Sequence, residues 1–530
     1  MADGPVIALV DGEHHPAAVR EALDRVERTR GLRGVVFCGG EEKLGPGPLE
    51  EQYGRPVERE PERALRRLGP GAEAVVDLAD EPVLPVTAKL RLASLALHVG
   101  LRYEAPGMRL EPPRYERVPF DGPKLAVIGT GKRTGKTAVA GHWAALLRGL
   151  GANPVIVSMG RGGPAEPRLA AAETGLGELL AIAEGGGHAA SDYLEDAVLA
   201  GVRTVGCGRV GGGPAGEPAE SNVPAGAALA ASLDPGVIVF EGSGACIPPV
   251  EVDRTVCLVG AGPLEPFADY RLLRAHLVLA AEGADAPPGA LPLSLRPEPA
   301  EPLPADARVA LFTTAAPAVA GVEPVVASDN LGRRSALRAD LDRAAAERCD
   351  AYLTELKAAA IDTVATRARA EGARVIFVRN RPEGLDEAFI TGGLSLLAGW
   401  LVLRLRPAGR VLGIVLASLG IVTGLVQIGS TGGPGLLAIA LNAFVLYGLF
   451  AYGFVFKTGA SPRATGAVPY QWVIRRQFIG TYLDSDAPSY DARGSTGLRF
   501  VELSPGVKDP DKVARFLANA RAAFARVVLQ

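Results

Sequence analysis

The chain has 530 residues, of which 48% are hydrophobic and 22% charged, with 66 Gly and 42 Pro. That length exceeds what one core organises and predicts about two to four domains, while the composition excludes a disordered, collagen-like or coiled-coil chain. With 56 Lys and Arg against 59 Asp and Glu the net charge is -3, so no global positive field recruits nucleic acid and any anion site must be local.

The five cysteines, Cys38, Cys207, Cys246, Cys257 and Cys349, are scattered and show no CxxC spacing. Neither a zinc site nor a disulfide framework is expected, and a reducing cytoplasm suits them. The opening MADGPVIALVDGEHH puts acids where a secretory signal needs a basic stretch, so residues 1 to about 390 are expected not to be exported.

In chain order, the run VIALV (6–10), a helical stretch (17–30) and GVVFCGG (34–40) alternate as strand, helix and strand, predicting a small N-terminal α/β domain over 1–118 with a parallel sheet. A Pro-rich connector (104–123) separates it from KLAVIG (124–129). Further buried strands are predicted at NPVIVS (153–158), GVIVFEG (236–242), RTVCLVG (254–260), ARVALFTT (307–314) and ARVIFVRN (373–380), with helices such as 137–150 and 330–348 between them. Continuous apolar strands alternating with helices predict a doubly wound parallel sheet over 119–389, with ligands at the carboxyl ends of its strands.

The composition changes near Ile390. Residues 411–456 carry no charge and divide at GSTGGPG (429–435) into two apolar segments, which at about 1.5 Å per residue span roughly 27 and 32 Å. A transmembrane helical hairpin is predicted there. Arg404, Arg406 and Arg410 before it and Lys457, Arg463, Arg475 and Arg476 after it place both flanks in the cytoplasm. The shorter run 392–403 suits an interfacial helix, so 390–457 forms one membrane zone. A short soluble tail (458–530) follows, with a helix predicted at 511–529 and no assignable chemistry.

The strongest chemical signal is KLAVIGTGKRTGKTAVAGHWAALL (124–147), a strand running into a Gly-rich turn and then a helix. The backbone N–H groups of Gly129, Thr130, Gly131, Lys132, Arg133, Thr134 and Gly135, backed by the helix N-terminus, are placed to cradle phosphates, Lys136 to reach the outer phosphates and Thr137 to hold Mg²⁺. This phosphate-binding loop, or P-loop, implies ATP as nucleotide, although the usual first Gly is replaced by Thr130. Lys132 and Arg133 add positive charge beyond what a triphosphate requires, which points to a second, strongly anionic substrate or else to solvated side chains. GVIVFEGSGA (236–245) ends a strand in Glu241, either a ligand of Mg²⁺ or its waters or a turn carboxylate.

SMGRGGP (158–164) and GCGRVGGGPAGEPAESN (206–222) set Arg161 and Arg209 among glycines, including Gly211, Gly212 and Gly213. Each reads as an anion nest or as a flexible surface loop. HAASDYLEDA (188–197) offers His188, Asp192 and Glu195, the last two on one helix face that reads equally as solvated or as part of a site. VDGEHHP (10–16) and CGGEEKL (38–44) follow the first two strands, in positions suited to substrate contact or ordinary turns; the His pair lacks a third metal ligand.

With these motifs in place, residues from about 5 to 388 resemble the cyclic 2,3-diphosphoglycerate synthetase family, through DGEHHP, GGEEKL, GTGKRTGKT, SMGRGGP, SDYLEDA, VGGGPAGEP and FEGSGA in that order, then TELKAAAID (354–362) and VRNRPEGLDEAF (378–389). The loop GTGKRTGKT with EGSGA is in turn similar to dethiobiotin synthetase, which uses the same shifted loop. The resemblance implies an ATP- and Mg²⁺-dependent ligase that closes 2,3-diphosphoglycerate to its cyclic pyrophosphate with release of ADP and phosphate. It implies catalytic roles for Lys132, Arg133, Lys136 and Glu241, and substrate binding by Arg161, His188, Asp192, Arg209 and Gly211 to Gly213. A homodimer is the family-based expectation, and attachment through 411–456 would hold the enzyme on the cytoplasmic face of the cell membrane. The alternatives are another ATP-dependent ligase or kinase for a small anionic substrate, or a membrane-tethered nucleotide switch. FTTAAP (312–317) and RNRP (379–382) are expected as strand-end loops that could contact the base.

Overall fold

The structure, a computed structural model, describes residues 4–315 and 318–383, Ile414, and the strands Glu502–Ser504 and Val507–Lys508. The chain divides into two units, Met1–Glu383 and Gly384–Gln530.

The sequence VIALV forms β1 (Val6–Val10), buried at every residue, and a strand apolar on both faces belongs in the middle of a parallel sheet. It lies between β2 (Leu32–Phe37) and β4 (Ala74–Asp77), with β3 (Val57–Glu58), β5 (Arg102–Ala105) and β6 (Met108–Leu110) completing the order β3-β2-β1-β4-β5-β6. The sheet is parallel as expected except at β6, which turns back antiparallel on β5. The helix Pro16–Arg30 starts where Pro16 supplies a preset φ and His15 Nδ1 accepts the amide of Ala17, and it stops at Gly31, whose φ of 80° ends the helical path.

A second sheet carries the rest of the unit. It contains β7 (Lys124–Gly129), β8 (Pro154–Gly160), β9 (Arg168–Ala170), β10 (Arg203–Val210), β11 (Glu220–Ser221), β12 (Val237–Glu241), β13 (Arg254–Val259), β14 (Leu277–Ala281), β15 (Leu291–Pro299), β16 (Val309–Phe312), β17 (Val326–Ser328), β18 (Ala351–Glu355) and β19 (Arg374–Glu383). The order is β11-β10-β8-β12-β7-β13-β14-β15-β19-β18-β16-β17, with β9 also paired to β10. From β8 to β15 the neighbours on this path are parallel, but β9 and β11 pair antiparallel to β10, and β19 pairs antiparallel to β15 from Ser294↔Glu383 to Pro299↔Val378. The sheet is therefore mixed rather than wholly parallel. RNRP lies inside β19 and not in a strand-end loop, because that segment pairs with β15. Of FTTAAP, Ala316 and Pro317 fall outside the described residues.

The helix Val86–His98 joins the two sheets through one core, in which Leu92, Leu95 and Leu97 share a cluster with Ile128, Val157, Phe240, Phe267 and Tyr270. A second cluster packs Leu179, Leu194 and Ala197 with Phe312, Leu337, Tyr352, Ile361 and Val364. Each large apolar side chain so buried contributes about 1.5–3 kcal/mol, so the second cluster holds the strands β16 to β19 firmly to the helix Asp192–Ala200. Among the described residues no helix is long and apolar enough to cross a membrane. The expected interfacial helix, hairpin and tail helix lie outside the described residues, apart from Ile414. In the second unit, Glu502–Ser504 and Val507–Lys508 pair antiparallel.

Candidate active site

Three adjacent strands deliver the centre of the site. β7 runs into the phosphate loop, and the helix Lys136–Gly149 opens directly after Gly135, which takes φ 93° at the N-cap. Its first amides and dipole face the loop, the arrangement that favours phosphate. Arg133 is also left-handed, with φ 58°, an uncommon cost for a non-Gly residue and one typical of a functional turn. Lys136 is buried; its Nζ donates to Gly131 O at 2.8 Å and to Thr134 Oγ1 at 3.3 Å. Burial pushes its pKa down, against the charges of Glu241 and Asp192. Lys132 and Arg133 are exposed and, among the described residues, form no ion pair.

The register Glu241↔Ser158 sets the end of β12 beside the middle of β8. Glu241 is 2% exposed. Its Oε1 accepts the hydroxyl of Thr137 and its Oε2 accepts that of Ser158 at 2.7 Å. Burial raises its pKa, Asp192 adds to the rise, and Thr137, Ser158 and Lys136 oppose it.

The SDYLEDA segment forms the helix Asp192–Ala200, which packs on the phosphate-loop helix. Asp192 Oδ2 lies 3.8 Å from where a Cβ at Gly160 would stand. Glu195 and Asp196 are buried, so this is not a solvated face. Neither carboxylate oxygen of Asp196 accepts from an N–H or hydroxyl donor; its carboxyl instead meets that of Glu241, a contact that requires a shared proton, and Oδ1 lies 3.3 Å from a Cβ position at Gly141. Burial, then Glu241 and Glu195, push the Asp196 pKa well up.

A cationic cluster lies near enough for the charge of Arg161 to reach Lys136. Arg209 donates Nη1 to Gly211 O at 2.5 Å and Nη2 to Ser243 O at 3.0 Å. Gly244 takes φ 61°, and a Cβ there would stand 2.6 Å from Arg161 Nη2 and 3.5 Å from Arg209 Nη2, so the two guanidinium groups converge on it. Arg161 is exposed and forms no ion pair among the described residues. His188 is exposed beside Gly162, its Cδ2 3.5 Å from the Cβ position there. Gly211 has φ 68°, and Gly213 N bonds Glu217 O at 2.7 Å, closing the turn that carries Gly211, Gly212 and Gly213.

The structure thus brings Lys136, Thr137, Glu241 and Asp192 together, and separately Arg161, Arg209 and the Ser243–Gly244 turn. Sequence reasoning passed over Ser158, Asp196 and Lys357, although each lies inside a quoted motif. Of the three only Ser158 breaks a buried apolar run, since Asp196 and Lys357 sit among other charged residues in sequence and carry no local signal.

Fold and loop define a P-loop nucleotide-binding α/β protein. Three family profiles match: the cyclic 2,3-diphosphoglycerate synthetase N-terminal domain at 5–111, P-loop domain at 124–284 and C-terminal domain at 305–381. A cyclic 2,3-diphosphoglycerate synthetase of Rubrobacter xylanophilus is 46% identical over 428 residues, covering 72% of this chain and 95% of the relative. Proteins of the same name from Thermococcus gammatolerans (38%) and Methanothermus fervidus (34%) each cover 72% of this chain and 94% of the relative. The chain belongs to the cyclic 2,3-diphosphoglycerate synthetase family. Among solved structures, LpxK of Aquifex aeolicus in complex with ATP aligns with 52% of this chain and 88% of its own at 15% identity and a TM-score of 0.30, too slight a likeness to argue from.

Proposed function

We infer that this chain makes cyclic 2,3-diphosphoglycerate from 2,3-diphosphoglycerate in an ATP-dependent reaction. The observation that carries this is a buried Lys136–Thr137–Glu241 centre with the converging Arg161–Arg209 pair close enough for the charge of Arg161 to reach Lys136: the first suits a nucleotide phosphate chain, the second a further polyanion. The γ-phosphoryl group of ATP moves to one substrate phosphate, leaving ADP, and the neighbouring phosphate then attacks the phosphorus of that activated substrate phosphate, forming the cyclic phosphoanhydride and expelling the transferred group as orthophosphate. Both steps press anionic oxygens together, so the work of the protein is positioning and charge neutralisation.

Lys136 and the helix amides hold the outer phosphates, while Lys132 and Arg133 reach the transferring group. Arg161, Arg209, His188 and the turn of Gly211, Gly212 and Gly213 hold the diphosphoglycerate. Thr137 and Glu241 fit Mg²⁺: a hydroxyl and a carboxylate already meet at the loop, and Mg²⁺ takes only one or two carboxylates beside phosphate oxygens. Bound there, Mg²⁺ would neutralise charge on the phosphate oxygens. Asp192 acts electrostatically on both Lys136 and Glu241 and lies beside Gly160 next to Arg161, so it serves the boundary between the nucleotide and substrate groups.

Phosphorus NMR of the protein with ATP, Mg²⁺ and 2,3-diphosphoglycerate tests the reading. A pyrophosphate-type signal with one ADP per product, absent for Lys136→Ala, is expected; ATP consumption without that signal would overturn the substrate assignment. The uncharged stretch 411–456 supports attachment to the cytoplasmic face of a membrane. Recovery of the full chain in the membrane pellet, and release of a chain ending at Glu383 to the supernatant, is the expected outcome.

A further inference from the structure

Glu195 presents an unusual problem of charge. It lies in the first turn of the helix Asp192–Ala200, is 7% exposed, and its Oε2 has no hydrogen-bond partner. A buried carboxylate left this way is costly unless a cation compensates it. The cation comes from far along the chain: Lys357 Nζ lies 3.7 Å from Glu195 Oε1.

Lys357 follows β18, in the region matched by the family's C-terminal domain and outside the P-loop domain. Its surroundings are built to hold it. Ala358 is left-handed at φ 48°, and a π-helix, Ala360–Ala365, begins two residues further on, a form that is rare and concentrated at functional sites. Glu355 is pinned by the amide and hydroxyl of Thr314, at 2.9 and 2.6 Å. The Lys357 ammonium feels Glu195 most strongly, and Glu355, Asp192 and Glu241 as well.

We propose that Lys357 is a positioning residue of the ATP site, a strut from the C-terminal region that fixes Glu195 and with it the orientation of Asp192 beside Glu241 and Lys136. The inference rests on the assignment of the ATP site above. Asp192 and Glu195 are three residues apart on one helix face, so a shift that hydrated an unpaired Glu195 would carry Asp192 with it. Lys357 itself acts through Glu195 and touches no reacting group.

The test is a double-mutant cycle in the full chain, with kcat, KM for ATP and the dissociation constant of Mg²⁺·ADP by calorimetry read on each variant. Lys357→Met is expected to lower kcat by about 10- to 100-fold, as for other supporting partners of a metal centre, with KM for ATP moving less than about threefold and Lys357→Arg restoring most of the loss. In a Glu195→Gln background, Lys357→Met should cost little more, because no charge is left to hold. Should Lys357→Met alone not fold, the double variant, which buries no unpaired charge, is compared with Glu195→Gln. Equal kcat values support the strut, and a further loss of about tenfold or more overturns it in favour of direct substrate contact. Unchanged kcat in folded Lys357→Met also overturns it. If the wild type consumes ATP yet makes no cyclic product, the substrate reading fails while the same cycle, read on kcat for ATP consumption, still tests the strut.

Discussion

Thr137 and Glu241 lie 104 positions apart in the chain and are joined hydroxyl to carboxylate, the first at the start of the phosphate-loop helix and the second at the end of β12. Such a bond orients both groups for a shared cation. Glu241→Gln is expected to cut kcat at least about 100-fold and to raise the Mg²⁺ concentration needed for half-maximal rate, whereas Ser158→Ala, which removes only the bond to the other oxygen, costs about tenfold. A coupled ADP assay across an Mg²⁺ titration distinguishes these outcomes from a uniform loss.

The guanidinium pair makes a prediction of the opposite kind. Arg161→Ala and Arg209→Ala should each raise KM for diphosphoglycerate by about 10- to 100-fold while leaving KM for ATP within about threefold, because neither residue belongs to the nucleotide loop. Equal effects on both substrates would place the pair elsewhere in the mechanism.

Gly244 is the turn on which that pair converges. An Ala there meets a positive φ and the Arg161 guanidinium at once. The backbone strain alone costs about 1–2 kcal/mol, read as a lower urea midpoint, and displacement of Arg161 should raise KM for diphosphoglycerate in the same variant.

Glu195 predicts a pH dependence of stability. Burial first, with Asp192, Glu241 and Glu355 adding and Lys357 opposing, lifts its pKa from 4.5 to about 7. The folded protein therefore keeps a proton that the unfolded chain releases, so the stabilisation from this group is full below about pH 4.5 and is lost as the pH rises through about 7, by up to about 1.4 kcal/mol per unit. Thermal melts of Glu195→Gln should show a flatter decline over that window than the wild type; parallel curves would show that Glu195 does not titrate there.

Much of this centre was legible in residues with one job. The strand 124–129, the loop and the helix beginning at Lys136 follow from apolar run, glycines and periodicity, and Glu241 stands out as a charge closing the buried run VIVFE. What stayed hidden depends on pairing at a distance. Ser158 is unremarkable until register places it against Glu241, and Asp196 and Glu195 look like a wet helix face until the core of Phe312 and Tyr352 closes over their neighbours Leu194 and Ala197. The antiparallel meeting of β15 and β19 likewise has no local signature, since either strand reads alike in both directions.

That meeting bears on how the protein can be dissected. β14 is covered by β15, and β15 in turn by β19, so the sheet passes without a break from the region matched by the P-loop profile into the region matched by the C-terminal one. A fragment stopped at residue 284 would leave a row of unpaired backbone groups along β14 and invite self-association, so the smallest well-behaved piece that retains the nucleotide loop should extend at least through β19.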